Sequence, residues 1–559
     1  MIPNITTKHT GKLSSFLSGF SVFFMLLVLT ILIRFPDITM PLERDEGEYG
    51  YAAQEILRGA MPYKDTFCQK PPLIFFWYIL GFKFFGQTII GIHLTMILAS
   101  ALSAFGLYIL CSYLIEMEGK AGLGGTIGKV SGCFAATSFS LSAAGSGYFG
   151  SAANTEIFML VPVIFGLLFI LKAIKGERPC YWFLSGISFG MAFITKQVAL
   201  FSFIGPGLFV ALILFSRKST TWSYIKSIIF GCAGIVVLFL PFIIWFASRG
   251  AFHDFIEVTF IHNINYVGSP FNARKWDLFF DVFITRFLFT DGLLWICITL
   301  CLLSVLFTKR ARQNPIFWFS ILWFCGSLFG VLLGPYTFGH YFLQLLPPLV
   351  LATSALFSLI LAKPINSPKW NRIMASLMVI VVLIPMVISR MDTLRKPISK
   401  RSFDLYSIYG PSPFLAAKEV GEYLRKTTEP GKRILIIGSE PEILFYSGRR
   451  SATRYTIFYP LTGPFEDSDV MIEKLFDEIE VNHPMKIILV YCQTSFITGG
   501  KSTEKVNRIF SRVGLILKRS FMEEDFVFTN LDGKIFWEKR DRVSVSSLKP
   551  LFRIYSRKL

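Results

Sequence analysis

Eleven apolar runs, each about as long as a bilayer is thick, constrain this chain before anything else does. A helix needs roughly 20 apolar residues to cross a hydrocarbon core about 30 Å thick. Such runs fall at 17–35, 90–116, 129–146, 154–172, 181–198, 201–216, 227–248, 284–306, 315–333, 341–362 and 373–389. They predict a polytopic α-helical membrane protein. Composition agrees, because 53% of the 559 residues are hydrophobic and 17% charged, against about a quarter charged in a soluble domain. A soluble enzyme, a disordered chain and a nucleic-acid binder are excluded, although the net charge is +19. The first run lacks a small-residue cleavage site after it and reads as an uncleaved anchor. The stretch 73–86 is too short to cross, and its aromatic content suits an interfacial or re-entrant segment.

Charge alternates between the short connections. Lys129, then Lys172, Lys175 and Arg178, then Lys309, Arg310 and Arg312, then Lys369 and Arg372 mark one side, and the connections near 147–153 and 334–339 carry no Lys or Arg. The positive-inside rule then places the N-terminus in the cytoplasm. Loops 36–72, 147–153, 249–283 and 334–340 fall outside, with everything after about residue 390. The expected division is a transmembrane domain over 1–390 and a soluble extracytoplasmic α/β domain over 391–559. The second region has a turn at Glu429-Pro430-Gly431, a helical pattern near 414–426 and β-branched runs at 433–437, 486–491 and 525–530. The nine cysteines form no framework and no CxxC pair.

The chemistry concentrates in the first outer loop. Glu43, Asp45, Glu46 and Glu48 fall within six residues directly after a span. A solvated acidic face is the plain reading, but acids at a membrane face cost solvation unless they line a polar cavity. Arg58, the Pro62-Tyr63 turn and Lys70, fixed ahead of Pro71 and Pro72, follow. The plain reading of Lys70 is a snorkelling interface lysine. Lys196 lies in the apolar ITKQVALF, where a lysine is expensive and function is the default expectation. Glu156 begins a span after an uncharged loop, where Thr155 and Glu156 also suit simple helix capping. His340 and Tyr341 start another span, where a lone His is more often a hydrogen-bonding residue than a ligand. His253 and His262 lie in the 249–283 loop, read as an acceptor lid or amphipathic helix, and His93 reads as structural. Glu440 and Glu442 follow a predicted strand, where ligands often bind but turn chemistry also suffices.

The pattern DEGEYGYAAQ…G…PY.D…KPPL resembles the polyprenyl-phosphate-sugar-dependent glycosyltransferases of the GT-C fold. That group includes the protein O-mannosyltransferases, the aminoarabinose transferase of lipid A and the rhizobial galacturonosyltransferases. The resemblance continues through Asn154-Thr155-Glu156, Lys196-Gln197, His340-Tyr341 with Pro347-Pro348, Gly438-Ser439-Glu440-Pro441-Glu442 and Ser447-Gly448-Arg449-Arg450. It implies a GT-C membrane domain that transfers a sugar, with inversion, from a polyprenyl-phosphate donor to a hydroxyl of a lipid, glycan or protein. It implies Asp45 as general base and Glu46 as an acid that either supports Asp45 or orients the acceptor; Glu48 gains no clear role and reads as a solvated acid. Lys70, Lys196, His340, Tyr341 and Arg58 would meet the donor phosphate. Glu156 and Asn154 would form a second acidic site facing Asp45, for the sugar, the acceptor or a divalent metal held with His340. The membrane is expected to be the inner one. No metal or other cofactor is implied with certainty, because no ligand set has strong spacing.

A polytopic transporter or lipid flippase is the alternative of another class, but inverted repeats and Gly/Pro-broken midplane helices are missing. A structural partner in an envelope polysaccharide complex is a third, and the intact Asp45-Glu46 pair speaks against it. A Gly-rich phosphate loop is missing too, which argues against a nucleotide-sugar donor.

Overall fold

A computed structural model describes residues 6–117, 124–176, 178–216, 221–266, 273–334, 336–362, 368–406, 413–529, 534–539 and 550–558. Among these, eight helices are long and apolar enough to cross a membrane. They begin with Gly19–Asp37, Ile89–Met117 and Thr155–Gly176 and end with Gly339–Ala362 and Lys369–Leu394. Leu73–Phe85, Pro179–Thr195 and Ala199–Phe215 are shorter apolar helices. The run expected at 129–146 is the helix Gly124–Ala143.

The chain divides into two compact units. The first comprises 1–38, 93–241 and 268–393. Its centre is the helix Thr155–Gly176, whose Ile157, Phe158, Leu160, Val163, Ile164 and Leu167 are buried. Pro179–Thr195 packs against it. The helix Lys369–Leu394 instead exposes Ile373, Leu377, Ile380, Val381, Ile384 and Ile388, a surface that lipid tolerates and water does not. The loop at 145–153 is clamped from the first span. Arg34 donates to the carbonyls of Ala143 at 2.7 Å and of Gly150. Asp37 accepts from Arg390 at 2.5 Å and from Ser151 at 2.9 Å. His93 is buried with Nδ1 2.9 Å from the Ile38 carbonyl, a structural role.

The second unit comprises 39–92, 242–267 and 394–559. Its sheet has strands β1 (Arg433–Ile437), β2 (Arg450–Ser451), β3 (Lys486–Val490), β4 (Phe521–Thr529), β5 (Ile535–Lys539) and β6 (Phe552–Arg557), in the order β2-β1-β3-β6-β4-β5. β1 pairs parallel with β2 and β3, and β6 is antiparallel to β3 and β4. The predicted helix near 414–426 is Phe414–Thr427. β1 is buried from Ile434 to Ile437 and β3 throughout, as parallel strands covered on both faces should be. The 249–283 loop is a chain of short helical pieces, Phe252–Ile256, Glu257–Ile261 and His262–Tyr266, followed after the undescribed stretch by Ala273–Val282.

Candidate active site

The acids after the first span form a helix, Arg44–Leu57. Glu43 is its N-cap, and the Glu46 carboxylate accepts from the Glu43 backbone N–H at 3.1 Å, half of a capping box that fixes the helix start. This helix packs on the short helix Glu442–Ser447 behind β1. Gly47 makes the approach possible, since a Cβ there would lie 2.6 Å from the Glu442 Cα. Leu42 N–H donates to the Tyr446 hydroxyl at 2.7 Å, and Ser451 N–H to the Tyr51 hydroxyl at 2.8 Å.

Arg44, which the sequence reading passed over, is the main tie. It is 1% exposed. Its guanidinium bonds Glu440 Oε1 at 2.8 Å, the Thr494 carbonyl at 3.0 Å, the Ser439 carbonyl and the Tyr459 hydroxyl. Glu440 also accepts from Ser495. The strand-edge acid expected as a possible ligand site is therefore bound to the acidic helix.

Packing sorts the four acids. Glu43, Glu46 and Glu48 are 1%, 0% and 7% exposed, whereas Asp45 is half-buried. Tyr49, one turn on, donates to Asp45 Oδ2 at 2.9 Å. Glu48, expected to be solvated, is buried against Cys68 and the Lys70 side of the loop. The expectation fails because the 61–70 segment folds over that face of the helix. Burial, then the charges of Asp45 and Glu46, push the Glu43 carboxyl well above the usual carboxylate range. Burial, then Glu440, does the same to Glu442.

Lys70 is half-buried, and its backbone is held in place. The Tyr63 hydroxyl donates to its carbonyl at 2.8 Å. Tyr63 is itself fully buried at φ 70°, a left-handed conformation rare for an aromatic residue. It packs on Phe75, Phe246 and Phe255. Gln69 lies 2.7 Å from His262 Nε2, and its carbonyl accepts from Asn263 at 2.8 Å. Pro71 and Pro72 then lead into Leu73–Phe85. Arg58, at the end of the acidic helix, pairs with Glu55 at 2.7 Å and donates to the Gly448 carbonyl at 3.1 Å.

Within the first unit, Glu156, Lys196, His340 and Tyr341 come together from three elements. Glu156 is 1% exposed in the first turn of its helix, with the Thr155 hydroxyl donating at 3.0 Å. Lys196 caps the end of Pro179–Thr195 and forms an ion pair with Glu156. Its ammonium also stands over the Tyr341 ring, 4.4 Å from the centroid. His340 Nε2 is 4.0 Å from Glu156 Oε1, with its ring between Phe149 and Phe338. Asn154 is 1% exposed, and both ends of its amide are without a hydrogen-bond partner among the described residues. Such an orphan costs about 1–3 kcal/mol unless a ligand meets it. Among the described residues no three His, Cys, Asp or Glu side chains converge to hold a metal ion.

Residues 69–245 match the family described as dolichyl-phosphate-mannose-protein mannosyltransferase. No curated protein matches the chain significantly. The fold is similar to that of ArnT from Cupriavidus metallidurans in the apo state, at 13% identity and a TM-score of 0.58, over 99% of this chain and 98% of that one. The same enzyme bound to undecaprenyl phosphate gives a TM-score of 0.56 at 13% identity, over 94% of this chain and 98% of that one. The oligosaccharyltransferase of Archaeoglobus fulgidus in the apo form gives 0.51 at 12% identity, over 95% of this chain and 76% of that one. The matched family and these fold neighbours are all glycosyltransferases, and the chain is a multi-pass membrane protein with their GT-C fold.

Proposed function

We propose that the chain is an inverting glycosyltransferase that moves a sugar from a polyprenyl-phosphate donor to a hydroxyl acceptor at the outer face of the inner membrane. The observation that carries this reading is the sorting of the acids. Asp45 alone of the four first-loop acids is accessible, and Tyr49 aims it. The acceptor hydroxyl gives its proton to Asp45 as its oxygen bonds the anomeric carbon. The bond from that carbon to the phosphate oxygen breaks, and polyprenyl phosphate leaves with the electron pair. Glu46, tied to the helix N-terminus, keeps the Asp45 backbone in place and borders the acceptor.

The leaving phosphate needs cations, and Lys70 is assigned to it because its segment is locked from both sides. On the resemblance, Lys196, His340 and Tyr341 are also assigned to donor-phosphate binding, with Arg58 the weakest candidate since it already serves Glu55. Glu156 and the unsatisfied Asn154 amide suit sugar or acceptor hydroxyls. ArnT bound to undecaprenyl phosphate supports a polyprenyl donor by likeness of fold. The region after residue 390 is assigned to the outer face, where it supports the acidic helix.

The test is turnover in nanodiscs with a panel of radiolabelled polyprenyl-phosphate sugars and a membrane extract as acceptor. Wild type should transfer label. Asp45→Asn, folded by thermal melt, should lose about 10²–10⁴ in kcat. Full activity in Asp45→Asn would remove the base assignment.

A further inference from the structure

The sheet of the second unit ends at a cavity that the proposed reaction does not use. Tyr423, Asp525, Trp537, Glu538 and Lys539 line about 440 Å³ there, within the roughly 300–1,000 Å³ of small-molecule sites. The cavity lies at β5, the edge opposite β2. β2 is the strand that meets the acidic helix, through Ser451 and Tyr51. β4 and β5 pair Asp525 with Lys539 and Val527 with Trp537, and directly opposite residues share a face. Tyr423 comes from the helix Phe414–Thr427.

β4 is irregular at this point, and its register against β6 shifts between Glu523 and Asp525. Consecutive strand residues normally point to opposite faces. Here the Tyr423 hydroxyl lies 2.7 Å from both Glu524 Oε1 and Asp525 Oδ2. The bulge turns both carboxylates toward the helix, as bulges beside functional sites do. The rings are fixed as well. The Trp537 indole donates to Glu419 Oε2 at 3.0 Å, and its ring lies 5.1 Å from that of Tyr423, tilted by 47°. Lys486 stands 5.0 Å from the centre of the Tyr423 ring and pairs with Glu524 at 2.7 Å.

These contacts select the ligand chemistry. Tyr423 and Trp537 touch each other, so they form one platform and leave no gap between two walls for an ammonium. Lys486 already serves the Tyr423 ring. The lining holds two acids, Asp525 and Glu538, against Lys539, which disfavours an anion. An aromatic face attracts positively polarised C–H groups. A carboxylate only accepts hydrogen bonds and an ammonium only donates them, so hydroxyls, which do both, suit the pair. A sugar ring offers a C–H face and a rim of hydroxyls together. We infer that this corner of the sheet is a saccharide-binding site for neutral sugar rings, with Trp537 as the stacking face and Asp525 and Lys539 meeting the hydroxyls. It stands apart from the reading of Asp45 and Lys70, and its test reads binding rather than turnover.

The full chain in nanodiscs is titrated with mannotriose, chitotriose, trigalacturonate and trilysine, with binding read by saturation-transfer NMR. At least one of the two neutral trisaccharides should bind, and more tightly than trigalacturonate or trilysine. Trp537→Ala should raise its Kd about tenfold, the loss of one aromatic contact. Trp537→Phe, which keeps an aromatic face, should recover most of that loss. Binding of neither neutral probe to wild type overturns the inference. So does equal binding in Trp537→Ala, which would place the saccharide elsewhere on the chain. Tighter binding of trigalacturonate or trilysine overturns the choice of a neutral sugar. If Trp537→Ala does not fold, the exposed Lys539→Ala decides. It should weaken binding several-fold, and an unchanged Kd there overturns the site.

Discussion

Glu156 and Lys196 show at the residue scale why a charge appears inside an apolar run. Their side chains are 1% and 11% exposed, and the two form an ion pair. Removing one partner of a buried pair costs about 3–5 kcal/mol, because the remaining charge keeps its desolvation penalty. Lys196→Met alone should therefore lower the melting temperature sharply in detergent. Adding Glu156→Gln should restore much of the loss, since a neutral amide needs no cation. A double variant that melts no higher than Lys196→Met would mean that His340, 4.0 Å away, rather than Lys196 carries the compensation. Catalysis should not be restored with stability if the pair also meets the donor.

At the scale of elements, the acidic helix Arg44–Leu57 depends on its backing. Gly47 and Gly50 lie on the face toward Glu442–Ser447, and they are not equivalent. A methyl at Gly47 would meet Glu442 backbone atoms, which cannot move away without separating the helices. A methyl at Gly50 would meet the edge of the Phe445 ring at 3.0 Å, and a ring can turn. Gly47→Ala should cost about 1–3 kcal/mol by overpacking, with a fall in kcat as Asp45 shifts. Gly50→Ala should cost less in both. Thermal melts and turnover of the two variants, side by side, check this. Equal losses would mean that the Gly47 contact relaxes as easily as an aromatic side chain.

At the scale of the whole molecule, the assignment to be tested is sidedness. The proposal assigns the basic connections to the cytoplasmic side and the C-terminal region to the outside. Val470 is 71% exposed on the helix Ser468–Asn482. A cysteine there should react with a membrane-impermeant maleimide in intact cells, above the background of the native thiols. A cysteine at the exposed Lys309 should react only after permeabilisation. The reverse pattern would invert the topology and take the outer-face site with it.

What the sequence by itself determined is whatever is encoded locally. The apolar runs are helices because lipid leaves the backbone no other partner. The β-branched runs at 433–437 and 486–491 became β1 and β3, since their continuous apolar character suits strands buried on both faces. Asp45, Lys70, Glu156, Lys196 and His340 stood out as candidates because ionisable residues beside a membrane are unusual and because their motifs match the family pattern. Tertiary structure decided which of them are buried and what they touch. Nothing near Glu48 in the chain says that residues 61–70 bury it, and nothing near Arg44 says that Glu440, almost 400 positions away, will hold it. Nor does local sequence show that 39–92, 242–267 and 394–559 form one compact unit. Burial and charge pairing are set by which distant segments meet. They choose which of four neighbouring acids stays accessible, and a linear pattern does not contain that choice.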